Sequence, residues 1–300
     1  MRLLPHSLYI IMRFLALLKN DFIKLFTSYG FWTAFLLFGG YCVYAFFLVQ
    51  DRYLGLDMYK HISATMGFAL DNHNFGFAVV SNAFLVCGLP FSASYVSDTK
   101  CRILSILLTK TTRTKYCASR LITCFIGSYL VIFLPLMLNQ LLCLGYFDMN
   151  ALVDDFTNGP AYTNLFGELQ SIPFSSFFQG NPLLYNVSFS ALLAFVCGLL
   201  AMLAFSVSLL ITKLRIIPIA VPYVASCVIT FVHSIVPGTS EFLLPDERTY
   251  ISLQSFLCIR YYGLKYDWHI FVVELLVIAF ITVILAVAFS RKKTDGVAVI

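Results

Sequence analysis

Five histidines, nine cysteines and fifteen carboxylates are the residues of this chain that could hold a metal or move a proton. Their spacing argues against most such chemistry. The histidines (His6, His61, His73, His233 and His269) are dispersed, and the nearest pairing, His61 with His73, reads as two loop residues. Metal ligation needs ligands brought together in clusters. The cysteines, at 42, 87, 101, 117, 124, 143, 197, 227 and 258, form no Cys-x-x-Cys pair and fall mostly in apolar runs or beside basic residues. They read as small apolar fillers. GxxxxGK[ST], HExxH, GxSxG and a glycine-rich dinucleotide loop are all absent. Glu274 is the plain ionisable group inside an apolar run, and His269 precedes it by five residues. An intramembrane carboxylate is a functional candidate, although Glu274 lies where a structural contact with water, Tyr or Arg is also within reach. The expectation is that this chain is not an enzyme, with no catalytic residue, no metal and no cofactor of its own.

The elements carrying these residues are those of a membrane protein. The chain is 60% hydrophobic, 16% aromatic and 12% charged, against about 25% charged in ordinary domains. So few polar groups cannot cover a water-facing surface, so lipid must be the main solvent. The net charge of +5 does not point to nucleic acid, because the cations sit where membrane topology would place them.

In order, residues 8–28 form an amphipathic interfacial helix. Arg13, Asn20, Lys24 and Thr27 lie on one side, and Phe14, Leu15, Leu18, Phe22, Ile23, Leu25 and Phe26 cover the rest. Its interrupting cations, with no small-residue cleavage pattern after them, read as mature sequence rather than a leader. Six spans follow, near 31–49, 75–95, 121–146, 188–211, 216–236 and 270–289, each close to the roughly 20 residues a crossing needs. Pro135 predicts a tilt or kink in the overlong third span, and Pro90, Pro218 and Pro222 mark similar weak points. Residues 212–215 make a tight turn between spans four and five. The stretch 239–269 is too apolar for a free loop and reads as a re-entrant or interfacial hairpin before the last span. An Asn-Val-Ser acceptor pattern at Asn186 is given no weight.

Cation counting orients the chain. The N-terminal segment, 96–120, 212–215 and the tail together hold fifteen Lys and Arg, and the other side holds five. The loop 147–187 carries four acids and no cation. The positive-inside rule then places both termini in the cytoplasm. Trp32 and Trp268 fall at span edges, as indoles prefer. The whole chain, 1–300, reads as one all-α membrane domain.

Residues 96–120 are longer than orientation alone requires. Lys100, Arg102, Lys110, Arg113, Lys115 and Arg120 bracket a helical middle that runs from Asp98 through Ile103, Leu104, Ile106, Leu107 and Leu108. Acid first and base last suits the helix dipole. The apolar stripe needs a partner, either the bilayer surface or a groove on a soluble protein.

These features resemble the membrane subunit (permease) of a type-2 ABC exporter over nearly the whole chain. Matching elements are the amphipathic first helix, six spans with both ends inside, the basic inner segment and the greasy outer segment before the last span. In that family the inner segment runs from an acid to a Leu-Leu pair and then to a Pro-x-Ser-Arg-like stretch. Asp98, Leu107-Leu108 and Arg113 take the acid, leucine and arginine positions. Cys101-Arg102 stands where the family often has Gly-Thr, and Thr111-Thr112 replaces the proline region. Asn181-Pro182-Leu183-Leu184-Tyr185 is similar to the family's lead-in to span four.

The resemblance implies a cell-membrane exporter subunit that binds no nucleotide. A cytoplasmic ABC ATPase dimer would supply ATP and magnesium, and a second permease, identical or homologous, would complete the route. The 98–109 stretch would be the coupling helix, with Asp98, Arg102, Ile103, Leu104, Leu107, Leu108 and Arg113 as its contacts. The apolar, aromatic spans suit an amphipathic peptide or lipid-like substrate. Ser81, Asn82, Asn139, Gln140, Ser206, Ser208 and Glu274 are candidate pathway residues, the polar ones being equally able to hydrogen-bond a neighbouring helix. A non-transporting membrane sensor or immunity protein that binds a peptide at its outer face shares this topology.

Overall fold

A computed structural model describes residues 6–52, 54, 63–70, 76–149, 174–211, 214–235, 249–250, 253–258, 265–266 and 268–291. In chain order the helices are α1 (His6–Thr27), α2 (Tyr29–Arg52), α3 (Gly76–Val86), α4 (Ser94–Lys100), α5 (Ile103–Lys110) and α6 (Arg113–Tyr146). After them come α7 (Ser175–Gly180), α8 (Pro182–Ser208), α9 (Ile216–Ile235), α10 (Leu253–Phe256) and α11 (Trp268–Arg291). Among the described residues the regular structure is helical apart from a two-residue parallel pairing of Thr249–Tyr250 with Lys265–Tyr266.

Four of these helices, α2, α6, α8 and α11, are long and apolar enough to cross a membrane. They cover the expected first, third, fourth and sixth spans with shifted ends. The largest shifts are at α8, which begins at Pro182 rather than 188, and α6, which begins at Arg113 rather than 121. Asn181 explains the early start of α8, because its Oδ1 accepts the Leu184 N–H at 3.0 Å and Pro182 takes the first helical position.

The expected second span, 75–95, is not one helix. Helix ends at Val86, turns run to 93, and α4 starts at Ser94. Pro90 disfavours helix in the residues before it. Gly88 adds a long-range cause, since a Cβ there would lie 2.5 Å from the Ile219 carbonyl oxygen. The bend therefore seats directly on the backbone of α9. The expected fifth span corresponds to α9, whose apolar portion is also shorter than the four long helices. Of the predicted 239–269 hairpin, the described part sends Leu253, Phe256, Leu257 and Cys258 into the main core, and Phe256 stacks on Phe271 at 4.2 Å. Residues 150–173 of the 147–187 loop, 212–213, His61, His73 and the tail beyond 291 lie outside the described residues.

At the centre stands α8, which buries Leu193, Ala194, Cys197, Leu200, Ala201, Ala204 and Phe205. Small residues along it let α6 pack closely. At 34 residues, α6 is about 51 Å long, well beyond the ~30 Å of hydrocarbon. The helix continues through Pro135, whose ring lies beside Gly39 of α2. The first two turns of α6, through Arg120, are thus available for packing at the bundle's end.

That end gathers the cation-rich segments. Arg120 of α6 meets Asp21 of α1, Arg215 shares a cavity with Lys24, and Phe289 near the end of α11 contacts both Tyr95 (5.3 Å) and Arg113 (5.7 Å). Ser28 is the single residue between α1 and α2. Its Oγ accepts the Phe31 N–H at 3.2 Å and so starts α2, while Trp32 Nε1 donates to the Phe26 carbonyl at 2.8 Å.

Replacing Gly88 by Val should lower stability by about 1–3 kcal/mol, because the new side chain meets backbone that cannot swing away. Gly145→Ala, where nothing lies within 4 Å, should be neutral or slightly stabilising. Thermal denaturation in detergent, read by loss of the monodisperse peak, compares the two.

Candidate functional site

Three elements contribute to a buried ionic cluster at the cation-rich end. Helix α6 presents Tyr116, Ser119 and Arg120 on one face, at helical spacings of three and four. Helix α1 buries Leu17, Asp21 and Leu25, an inward stripe with an acid at its middle. Helix α4 buries Asp98. Arg120 is 1% exposed and bridges the two carboxylates, with Nη2 donating to Asp98 Oδ2 at 2.5 Å and Nη1 3.4 Å from Asp21 Oδ1.

Further groups engage the same carboxylates. Tyr116 donates its hydroxyl to Asp98 at 3.0 Å, and Ser119 donates to Asp21 at 2.6 Å. Lys24 Nζ stands 3.7 Å from Asp98 Oδ1. Two acids and two cations balance. The rings of Phe91 and Tyr116 lie 4.9 and 5.2 Å from the guanidinium carbon, in cation–π contact. Burial pushes the Asp21 carboxyl above its ordinary value, against the opposing pull of Arg120, the Ser119 hydrogen bond and Lys24.

Beside the cluster is a cavity of about 460 Å³. Its lining includes Lys24, Ser94, Asp98, Cys101, Arg120 and Arg215. Close backbone approaches shape it: a Cβ on Gly30 would lie 2.7 Å from the Leu89 carbonyl oxygen, so the start of α2 rests on the bend after α3.

The expected coupling helix at 98–109 is two helices. The chain breaks at Cys101-Arg102, and Arg102 is left-handed (φ 56°). Left-handed backbone closes many helices, usually on glycine, and here the Cys101 and Arg102 N–H groups return to the Ser97 and Thr99 carbonyls. A non-glycine residue there costs roughly 1–2 kcal/mol. Asp98 consequently falls on the first piece and turns inward to Arg120 rather than outward. On the second piece, Leu104, Leu107 and Leu108 pack against the core, whereas Ile103 and Ile106 are exposed. Arg102 is exposed, and Arg113 is half-buried over Phe289. Of the seven residues assigned to coupling, Arg102 and Ile103 are the two that stand fully outward.

The pathway candidates do not converge on one site, and none lines the cation-rich cavity. Asn139 and Gln140 instead belong to a buried network near the far end of α6. Asn139 donates to the Cys42 carbonyl (2.7 Å) and accepts the Ala69 N–H (3.0 Å). Gln140 donates to the Ala64 carbonyl (3.3 Å) and accepts from Asn186 (2.9 Å), which also donates to the Thr65 carbonyl. Together they hold the non-helical stretch 63–70, whose Phe68, Ala69 and Leu70 are buried. Asn186 of the Asn-Val-Ser pattern is fully buried in this network.

Ser81, Asn82 and Ser208 bond to carbonyls of their own helices, and Ser206 reaches the Thr282 carbonyl of α11 at 3.4 Å. Glu274 is half-buried on α11. Sequence reasoning missed Arg120, Asp21 and Asn186. The available signal was that Asp21 and Asp98 are rare acids on a side crowded with cations.

Removing Arg120 would leave two carboxylates buried without their counterion. Arg120→Ala should therefore cost about 3–5 kcal/mol. Asp21→Asn should cost less, because burial already works against the charge and the amide oxygen can still accept from Ser119. The same sign holds with pH. A carboxyl whose folded value is raised favours folding below its unfolded value and loses that contribution as pH rises through the folded one. Detergent melting curves for both variants check the order; equal losses would argue against the bridge as described.

Comparison with protein-family models, with curated proteins and with solved structures finds no match for this chain.

Proposed function

We propose that this chain is the membrane-spanning subunit of an ATP-driven exporter of the type-2 ABC kind, working in the cell membrane. In this reading it crosses six times with both ends in the cytoplasm. Residues 75–95, with their bend, make the broken second crossing, and the 239–269 stretch re-enters from the outer face. A separate cytoplasmic ATPase dimer binds ATP and magnesium, and a second permease subunit, identical or homologous, completes the translocation route. The apolar and aromatic spans suit an amphipathic peptide or a lipid-like substrate.

One observation carries the reading. Between α3 and the long α6, the chain builds a short helical device at the cation-rich end. It turns its leucines inward and leaves Arg102, Ile103 and Ile106 as a small basic and apolar edge. An edge of that chemistry suits a groove on a soluble partner. Directly behind it, Asp98 is tied to Arg120, so a push on α4 and α5 is delivered to α6. A motor that closes on ATP would then move the bundle through contacts that differ between its two states.

Two variants separate charge from backbone shape. Arg102→Gly keeps the left-handed turn and removes the cation, while Arg102→Glu combined with Ile106→Asp reverses the edge. The second should abolish ATP-dependent export and reduce copurification of the ATPase without lowering the melting temperature, and the first should act more mildly. Normal export by the reversed variant would sink the coupling assignment. Cys101 is exposed and Cys117 buried, so an impermeant maleimide should label Cys101 only after cells are opened. Labelling in intact cells would invert the topology.

A further inference from the structure

The cavity beside the ionic cluster shares Ile103 with that coupling edge, and its surroundings carry an excess of positive charge. Lys24, Arg120 and Arg215 bring three positive charges to it; Asp98 in the lining and Asp21 behind Arg120 offset two, and Arg215 is left in excess. Asp98 is already engaged by Arg120 and Tyr116, with Lys24 nearby. Two polar atoms of the lining residues are buried with no hydrogen-bond partner: Arg120 Nε and Ser94 Oγ. A guanidinium N–H can only donate, and arginine cannot shed its charge to escape the need. A buried donor left without an acceptor is costly.

The cavity's polar inner lining thus asks for acceptor oxygens. Its outer residues, Arg215 (exposed) and Lys24 (side chain 44% exposed), ask for negative charge. At about 460 Å³, the space falls within the ~300–1,000 Å³ of small-molecule sites.

We propose that this cavity binds a phosphate group, with oxygens accepting from Arg120 Nε and Ser94 Oγ and charge met by Lys24 and Arg215. Phosphate fits both demands, offering several strong acceptor oxygens on a compact anion. The surroundings favour a phospholipid headgroup as its source. The cavity lies at the cation-rich end of the long apolar helices, with the exposed Lys24 and Arg215 in its lining, where basic side chains attract anionic headgroups. Asp98 opposes any anion, so the site needs both outer cations to hold one.

Cys101 lines the cavity and is exposed, and Cys227 is the other exposed cysteine of the nine. The full-length Cys227→Ser protein therefore reports on the site through the rate of Cys101 alkylation by a neutral maleimide. The rate is measured in phosphatidylcholine vesicles, in vesicles with added phosphatidylglycerol, and in phosphatidylcholine with inorganic phosphate in solution. The expected result is slowing by phosphatidylglycerol. Arg215→Gln or Lys24→Gln should raise the fraction of phosphatidylglycerol required by roughly fivefold each. Lys100→Gln, an exposed cation outside the cavity lining, should leave it unchanged.

Protection by inorganic phosphate that is lost in Arg215→Gln would support the site and assign it to a free phosphate. Unchanged rates in all three media would overturn the proposal. So would equal effects of Arg215→Gln and Lys100→Gln, since the protection would then be general surface charge.

Discussion

An arginine that cannot reach water must be neutralised where it stands, and the cation-rich end of this molecule is arranged around that constraint. A guanidinium has no acceptor and five donors to satisfy, and an unpaired charge in an apolar setting is prohibitively costly. Its two carboxylates come from different elements, Asp21 from α1 and Asp98 from α4. Neutralising one side chain thereby fixes the positions of two helices against a third. On the same helix, Ser119 donates to the Asp21 oxygen that Arg120 leaves over, and Tyr116 adds a second donor to the Asp98 oxygen that Arg120 holds. Phe91, from the bend after α3, closes one face of the guanidinium. A buried ion pair is weak evidence for net stability. What it provides here is a specific docking arrangement, since Arg120 pairs with an acid from each of the two helices.

The far end of α6 meets the opposite problem with neutral groups. Residues 63–70 are non-helical and packed in the core, so their backbone groups cannot be satisfied within a helix. Asn139, Gln140 and Asn186 supply the missing donors and acceptors. Carboxamides suit this task because each carries both donor and acceptor sites and adds no charge to the interior. Ions therefore tie one end of the same helix and amides the other. Close backbone contacts at Gly30 and Gly88 seat the bend that lies between α3 and α4.

Hydropathy made the long helices legible because a crossing segment announces itself by composition alone. Four of six expected spans match helices of crossing length, and their ends moved where local capping, as at Asn181, outranked the hydrophobic window. The break inside 75–95 was only half readable. Pro90 marked a weak point, but the contact of Gly88 with Ile219 joins positions far apart in the chain. Asp98 was read as the outward start of a single helix because a local pattern cannot tell which face turns inward. Its partner, Arg120, and the left-handed Arg102 between them decide that face. Asn139 and Gln140 stood out as polar letters in an apolar run. Their carbonyl partners at 42 and 64 carry no side-chain signal, so a structural tie and a pathway residue look alike in sequence.

The unbroken run of α6 from Arg113 to Tyr146 makes it a lever with both tips clamped. Moving as one body about 51 Å long, it would sweep the far clamp through roughly 4 Å for a tip of about 5° at the near one. That distance is close to the separation of neighbouring side chains in a packed core. Modest leverage at the foot is thus enough to shift the grip of the head by a whole side-chain width.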